Sequence, residues 1–525
     1  MSERIGLAVI DRVKDRMHAF VTDYRTRLKG CQYIDLRIEV SEAKGGYAQN
    51  GSAKETYEDA EISMGIRVHA GESMLAPGHY GRVLGRTDLE QLETVVREGI
   101  DHAYRRAWAN AARKMDAERT LGPLSNALAS TRLAPIQIYQ DTVASPVRIH
   151  PATIPLGTFL GEAVGVSHDI ASQDSRVLFN QVGISSMMVR ELFVSSEGAL
   201  IDQLYPLTQG FLYVVAREPG SVPEAHYDWL GDMRGWEVLE GENVYGKTFR
   251  QFAHDLTRDT VELAGAEMLD PTPMEAVVVT DPHYNALLVH EIVGHPVEAD
   301  RALKMETGYA GRTWLYQGLQ ENMLGQRIAS ELVTAFSDTS LQGYGMYKYD
   351  AEGVRARRVV HIDKGIFKGF LNSRETAAII GEEPNGAMRA SDPVCVPLVR
   401  MTNTVFANGD RDPQEIIREV DDGYYLLGHR IPSISESREN FRITARKVYK
   451  IERGELTKLY RSGGITADSR DYLMSIDAVG NDFKMIPIPN CGKGQPMQSM
   501  RVGNGGPTMR GRAKILGGEV VGGEE

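Results

Sequence analysis

Two prolines within four residues, Asp270-Pro-Thr-Pro273, constrain the fold of this chain more than any other short segment. Proline fixes φ near about −65°, lacks a backbone N–H and pushes the preceding residue out of the helical region, so no helix runs through. The texture changes there. The sequence predicts an α+β chain, with a mixed α/β N-terminal domain over 1–269 and a β-rich C-terminal domain over 270–525 that carries a kinked helix. In the first half Ile5, Val9, Val13, Met17, Phe20 and Tyr24 recur at helical steps, which predicts a helix over 5–28. Tyr33 to Val40 alternates apolar and polar, as a half-buried strand does. A second strand is expected over 62–68, a long helix capped by Thr87 over 87–114, strands within 176–216 and a helix over 247–269. Residues 116–159 are rich in Pro, Ser and Thr and show no clear period.

After the prolines, Ala276 to Thr280 is a β-branched run of buried-strand type, and 285–303 is helix-like. Two segments then resemble each other, 358–370 and 447–459. Each is an alternating strand, a turn with Gly365 or Gly454, and a second strand, which predicts three-residue hairpin turns in one large sheet. Pro413 suits the first turn of a short helix over 412–420. The glycine-rich tail from Gly503 is expected to be partly loop.

Composition narrows the function. The chain has 525 residues, 42% hydrophobic and 25% charged, as globular proteins do, and a net charge of −12. That charge argues against a surface built to grip phosphates, so no nucleic-acid partner is expected. Arg355, Arg357 and Arg358 are only a local basic cluster on a solvated strand. No apolar run reaches the roughly 18 residues of a membrane span, and the first residues lack a signal-peptide core. Three cysteines are odd in number and too few for a disulfide framework. A reducing, cytoplasmic setting follows as the expectation. Cys31 and Cys395 are expected in the core.

The most informative stretch is His290-Glu-Ile-Val-Gly-His295. Imidazoles bind zinc, and a carboxylate beside the first ligand can serve as general base. At about 100° per residue, ligands four apart share a helix face, but five apart lie about 140° away from each other. The two histidines can share a metal only if the helix bends before His295. Gly294 and Pro296, flanking His295, predict that bend through glycine's conformational freedom and proline's effect on the residue before it. Cys491, in Cys-Gly-Lys-Gly, is the best third ligand, with Lys493 placed to favour the thiolate. In a chain with 13 histidines, spacing alone leaves coincidence open.

With these residues in view, the chain resembles the TldD/PmbA family, in its metal-bearing TldD-type branch. The matching phrases run in order: His290 to His295 with Glu298 and Asp300, Asp350-Ala-Glu-Gly353, Arg400-Met-Thr-Asn-Thr404, Ile476 to Asn481, Cys491-Gly-Lys493 and Val502 to Thr508. The likeness covers about 275–515. It implies a zinc-dependent peptidase acting on short or unfolded peptides. One Zn2+ per chain would be held by His290, His295 and Cys491, with Glu291 as the catalytic base. It also implies a homodimer, or a heterodimer with a metal-free sister subunit. Pro296, where many members carry glycine, the charged segment 428–441 and a long N-terminal half depart from the family pattern. A strand-rich second domain suggests that peptide substrate binds as an added β-strand. Two other readings are a non-catalytic peptide-binding subunit of the same fold and a zinc amidase acting on a small metabolite. No second oxyanion donor is identifiable.

Overall fold

A computed structural model describes residues 6–122, 131–272, 274–306, 308, 311–318 and 321–517. The chain is α+β. In the first half one seven-stranded sheet is built on very long strands, Cys31–Gln49, Ser52–Gly71, Val177–Ser195 and Leu200–Ala216, all antiparallel neighbours. Asn50 and Gly51 join the first two through a two-residue turn, both with positive φ, 49° and 74°. Asn-Gly accepts that left-handed pair at little cost. Four helices, Val9–Tyr24, Leu92–Leu121, Leu156–Gln173 and Phe249–Ala264, cover one face of the sheet and bury its apolar residues.

Several expectations change here. Of the N-terminal stripe Val9, Val13, Met17 and Tyr24 are buried, Phe20 is half-buried, and Ile5 lies outside the described residues. Thr87 is not a cap. A short helix Arg86–Glu90 starts from Gly85, whose N–H donates to Asp88 Oδ2 at 2.8 Å, and Gln91 separates it from the long helix. The unreadable stretch 116–159 holds the end of that helix and a short strand, Gln140–Ala144, while 123–130 fall outside the described residues. Residues 33–38 are buried on both faces rather than half-buried. Their polar face is covered by the second half of the chain: Arg67 bridges Asp35 at 2.7 Å and Glu352 at 2.8 Å, and Arg37 donates to the carbonyls of Pro393 and Cys395. Cys31 is buried, but Cys395 sits half-buried in a turn instead of in the core.

The second half contains two larger sheets, not one. A six-stranded sheet ends on Lys484–Lys493. In the eight-stranded sheet Asp422–Ile434 pairs both with Glu275–Thr280 and with Asn440–Glu452, so five of its strands close into a ring. The two similar hairpins fall in different sheets. Each turns on two residues, Lys364-Gly365 and Arg453-Gly454, with φ of 46° and 80° and of 53° and 80°. The pair is therefore no repeat within one sheet. The tail is ordered strand as far as Leu516. Helix Pro413–Arg418 starts at Asp412, whose side chain accepts from two backbone N–H groups.

Candidate metal site

Helix Pro282–Val289 begins with Asp281 as its cap and proline in its first turn, and every residue in it except His283 is buried. At its end the hydrogen bonding lengthens. His290–Gly294 is a π-helical turn in which the His295 N–H donates to the His290 carbonyl at 3.1 Å. A bond from i to i+5 sets residue i+5 over residue i, which an α-helix does for i+4. The two rings meet edge to face with centroids 4.7 Å apart. The bend is present, but its cause differs from the expectation. His295 keeps helical angles, φ −69° and ψ −42°, so Pro296 does not expel it from the helical region. Gly294 does not use a glycine-only conformation. A Cβ there would meet the Met401 Cε and Sδ at 3.0 Å, so its role is close approach.

The third donor arrives from the other sheet. A register shift between Ile488 and Cys491 turns the end of strand Lys484–Lys493, and Cys491 Sγ lies 3.7 Å from His295 Nε2. One donor atom from each of His290, His295 and Cys491 lies within 4.8 Å of the others. Tetrahedral zinc with bonds of about 2.0–2.3 Å sets its donors roughly 3.3–3.8 Å apart, so two imidazoles and a thiolate so placed fit that ion. The residues are nearly sealed from water: His290 and His295 are 3% exposed, Cys491 1% and Glu291 7%.

Neighbouring groups orient both rings. Asn504 Oδ1 lies 2.9 Å from His290 Nδ1, while its Nδ2 donates to the Thr404 carbonyl at 3.0 Å, which settles the amide's orientation. His290 therefore donates through Nδ1 and keeps Nε2 for a metal. His295 Nδ1 meets Glu298 Oε2 at 3.2 Å, the carboxylate–histidine pairing common behind metal ligands. Glu298 is held in turn by Arg301 at 2.5 Å, the Met401 N–H at 3.1 Å and Lys493 at 3.3 Å. Lys493 corrects an expectation. Its ammonium binds Asp300 at 2.7 and 2.9 Å and the Val399 carbonyl at 2.6 Å; it anchors the cysteine strand to the segment after His295. Burial opposes the Cys491 thiolate, yet His295, His290 and the Arg400 guanidinium outweigh it and hold the thiol well below its ordinary value. Burial also opposes ionisation of Glu291, and Arg438, His290 and His295 reverse that, lowering its pKa.

Arg438 is the residue that motif reading missed. It lies between the paired strands Asp422–Ile434 and Asn440–Glu452, inside the charged segment 428–441, and its guanidinium contacts the Glu291 carboxylate. Residues of other matching phrases brace the scaffold. Glu352 accepts from Arg67 and from the Arg374 N–H, Arg400 holds the Cys491 carbonyl, and Asn403 accepts from the Gly345 N–H.

A cavity of about 180 Å³ opens beside His290 and Glu291. One wall is Ala225 to Trp229, on an edge strand of the first sheet; another is Pro487 to Asn490, on an edge strand of the six-stranded sheet. Two sheet-edge strands thus line the cavity beside His290 and Glu291.

A buried His/His/Cys donor set with a glutamate on one histidine's flank could hold a metal ion. The PmbA/TldA metallopeptidase C-terminal domain matches residues 273–515. A protein of Methanothermobacter thermautotrophicus named as a metalloprotease is 34% identical over 68% of this chain and 73% of its own length. One from Saccharolobus solfataricus, named as a zinc metalloprotease TldD homologue, is 29% identical over 59% of this chain and 64% of its own. The crystal structure of TldE from Thermococcus kodakarensis shares the fold at a TM-score of 0.67 and 17% identity, covering 97% of this chain and all of that one. This chain belongs to the TldD/PmbA metallopeptidase family. Among the described residues no helix is long and apolar enough to cross a membrane.

Proposed function

We propose that this chain is a zinc-dependent peptidase that hydrolyses short or unfolded peptides, with one zinc held by His290, His295 and Cys491. The observation that carries the proposal is Glu291. Its carboxylate sits next to a metal ligand and lines the cavity between two sheet edges. The relatives named as metalloproteases support the same reaction class. Zinc, when bound, supplies Lewis acidity that activates water and polarises a carbonyl.

The chain's own groups do the rest. A peptide strand in the cavity pairs its backbone with the edge Glu224–Asp232, with Lys484–Lys493, or with both. Folded substrates cannot offer a free strand, so extended ones are preferred. Glu291, held ionised by Arg438, accepts a proton at a carboxylate oxygen and returns it to the leaving amine. Asn504 and Glu298 keep the imidazoles in place. Assembly as a homodimer, or with a metal-free sister subunit, is part of the same proposal and is read from the solution mass.

Glu291→Gln tests the reading. It keeps the shape and removes the base. Zinc content should persist while hydrolysis of a mixed-peptide digest, read by mass spectrometry, falls by about 10²–10⁴-fold. Full turnover in a repurified variant would remove Glu291 from the mechanism.

A further inference from the structure

The cavity beside His290 and Glu291 holds about 180 Å³, and its walls set what can enter it. Leu287 stands three and four positions before those two residues, so the three share one helix face, and all three line the cavity. Ile488, Pro487, Pro489, Pro432 and Trp229 also line it. Proline has no N–H to offer, so Pro487 and Pro489 leave this wall without a backbone donor at two positions. Trp229 is braced by Phe211, with ring centroids 5.0 Å apart. The charged side chains on the walls each face an opposite charge. Asp228 meets Arg446 at 2.7 Å, Arg430 donates to Glu224 at 3.0 Å, and Glu291 contacts Arg438. Burial, with His283 and Arg446 nearby, holds the His429 pKa well below its ordinary value, and burial also lowers that of His226, so both rings are neutral near pH 7. A charged side chain entering here must either break an existing pair or give up its water without gaining a partner; an apolar one meets neither cost. A cavity of about 150 Å³ takes a benzene ring, so this one takes a single side chain of leucine to phenylalanine size.

We propose that this cavity is a side-chain subsite for one apolar residue, aliphatic or aromatic, adjoining the scissile bond of the peptide. The inference rests on the peptidase reading and adds a specificity to it. Backbone pairing accepts any extended chain, whereas the subsite decides which bond lies beside Glu291.

The test uses the full-length, zinc-loaded protein and peptides of one length, capped at both ends, that differ at a single central position: Leu, Phe, Ser, Glu or Lys. The Leu and Phe peptides should show about 10–100-fold higher kcat/KM than the other three, with the cut beside the variable residue by mass spectrometry. That advantage should persist as salt rises, because it does not rest on charge. Leu287→Ala enlarges the space and should shift the preference from Leu toward Phe. Pro432→Glu, half-buried on strand Asp422–Ile434 and so off the helix that carries the histidines, should lower turnover of the Leu peptide and raise that of the Lys peptide. It reads the subsite even where the Leu287 variant fails to fold. Equal kcat/KM across the five peptides, a preference that salt abolishes, or a wild-type preference retained in the Pro432 variant overturns the proposal and leaves the peptidase reading intact. If the wild type hydrolyses none of the five, the peptidase reading fails by itself. Binding of the same peptides, labelled at one end, to the same protein then decides the subsite: tighter binding of Leu and Phe keeps it, and equal binding removes it.

Discussion

The proposed chemistry turns on two residues, Cys491 and Arg438. Cys491 donates the only sulfur of the set and comes from a strand nearly 200 residues beyond the histidines. Disturbing a group behind a ligand commonly costs about 10–100-fold in metal affinity, so Cys491→Ala should cost more than that. Elemental analysis after dialysis should find zinc well below one per chain; unchanged stoichiometry would reassign the third ligand. Arg438 lowers the Glu291 pKa against the opposing pull of burial. A base works only when ionised, so activity falls as pH drops through its pKa. Arg438→Met should raise that pKa and move the acid limb of the kcat/KM profile to higher pH. An acid limb that stays in place in the variant would detach Arg438 from the base.

A π-helical turn and a strand with a register shift are the two elements that bring the donors together. The turn converts an unfavourable five-residue spacing into two rings that meet edge to face. The shift redirects the strand so that Cys491 faces them. Lys493 ties the two elements through Asp300 and Glu298, with its own side chain wholly buried. Removing one partner of a buried charge cluster strands the others. Lys493→Met should therefore destabilise the protein by about 3–5 kcal/mol and loosen metal retention, even though it touches no donor atom. Urea unfolding of the zinc-loaded variant, with zinc release followed in the same titration, measures both; a midpoint like that of the wild type would refute the anchoring role.

Across the whole molecule, charge pairs hold the two halves around the site. Asp228, on the edge strand of the first sheet, meets Arg446 at 2.7 Å and His283 at 3.3 Å in the second half. Burial pushes its pKa up, but Arg446 and His283 outweigh that and hold it far below the usual carboxylate range. The stability it adds is complete above its unfolded value of about 3.9 and is lost as pH falls below that. Asp228→Asn leaves Arg446 buried without its charge partner and should cost about 3 kcal/mol near neutral pH. The gap between variant and wild type should close below about pH 4 in a series of thermal melts. A gap that is constant with pH would show that Asp228 contributes no charge-dependent stability.

Much of this was written locally. The strands 33–40 and 276–280, the Asp412-Pro413 helix start and the need for a bend between His290 and His295 all follow from periodicity, capping and helix geometry, which act over a few residues. Resemblance to a family, rather than spacing, carried Cys491 into the donor set. Other features could not be read in that way. Arg438 acts on a partner 147 positions away and no local pattern marks it, while the partners of Asn504 and Lys493, 214 and 193 positions away, could not be read from the phrases that hold those residues. The polar face of residues 33–38 looked exposed because the surface that buries it lies more than 300 residues later. The sequence by itself determined the strands 33–40 and 276–280, the helix start at Asp412 and which side chains can bind a metal, because backbone sterics and donor chemistry are local. Only the tertiary structure decided that the bend is a π turn, that Gly294 packs closely against Met401, and that two sheet-edge strands flank the glutamate, because packing joins residues with no relation along the chain.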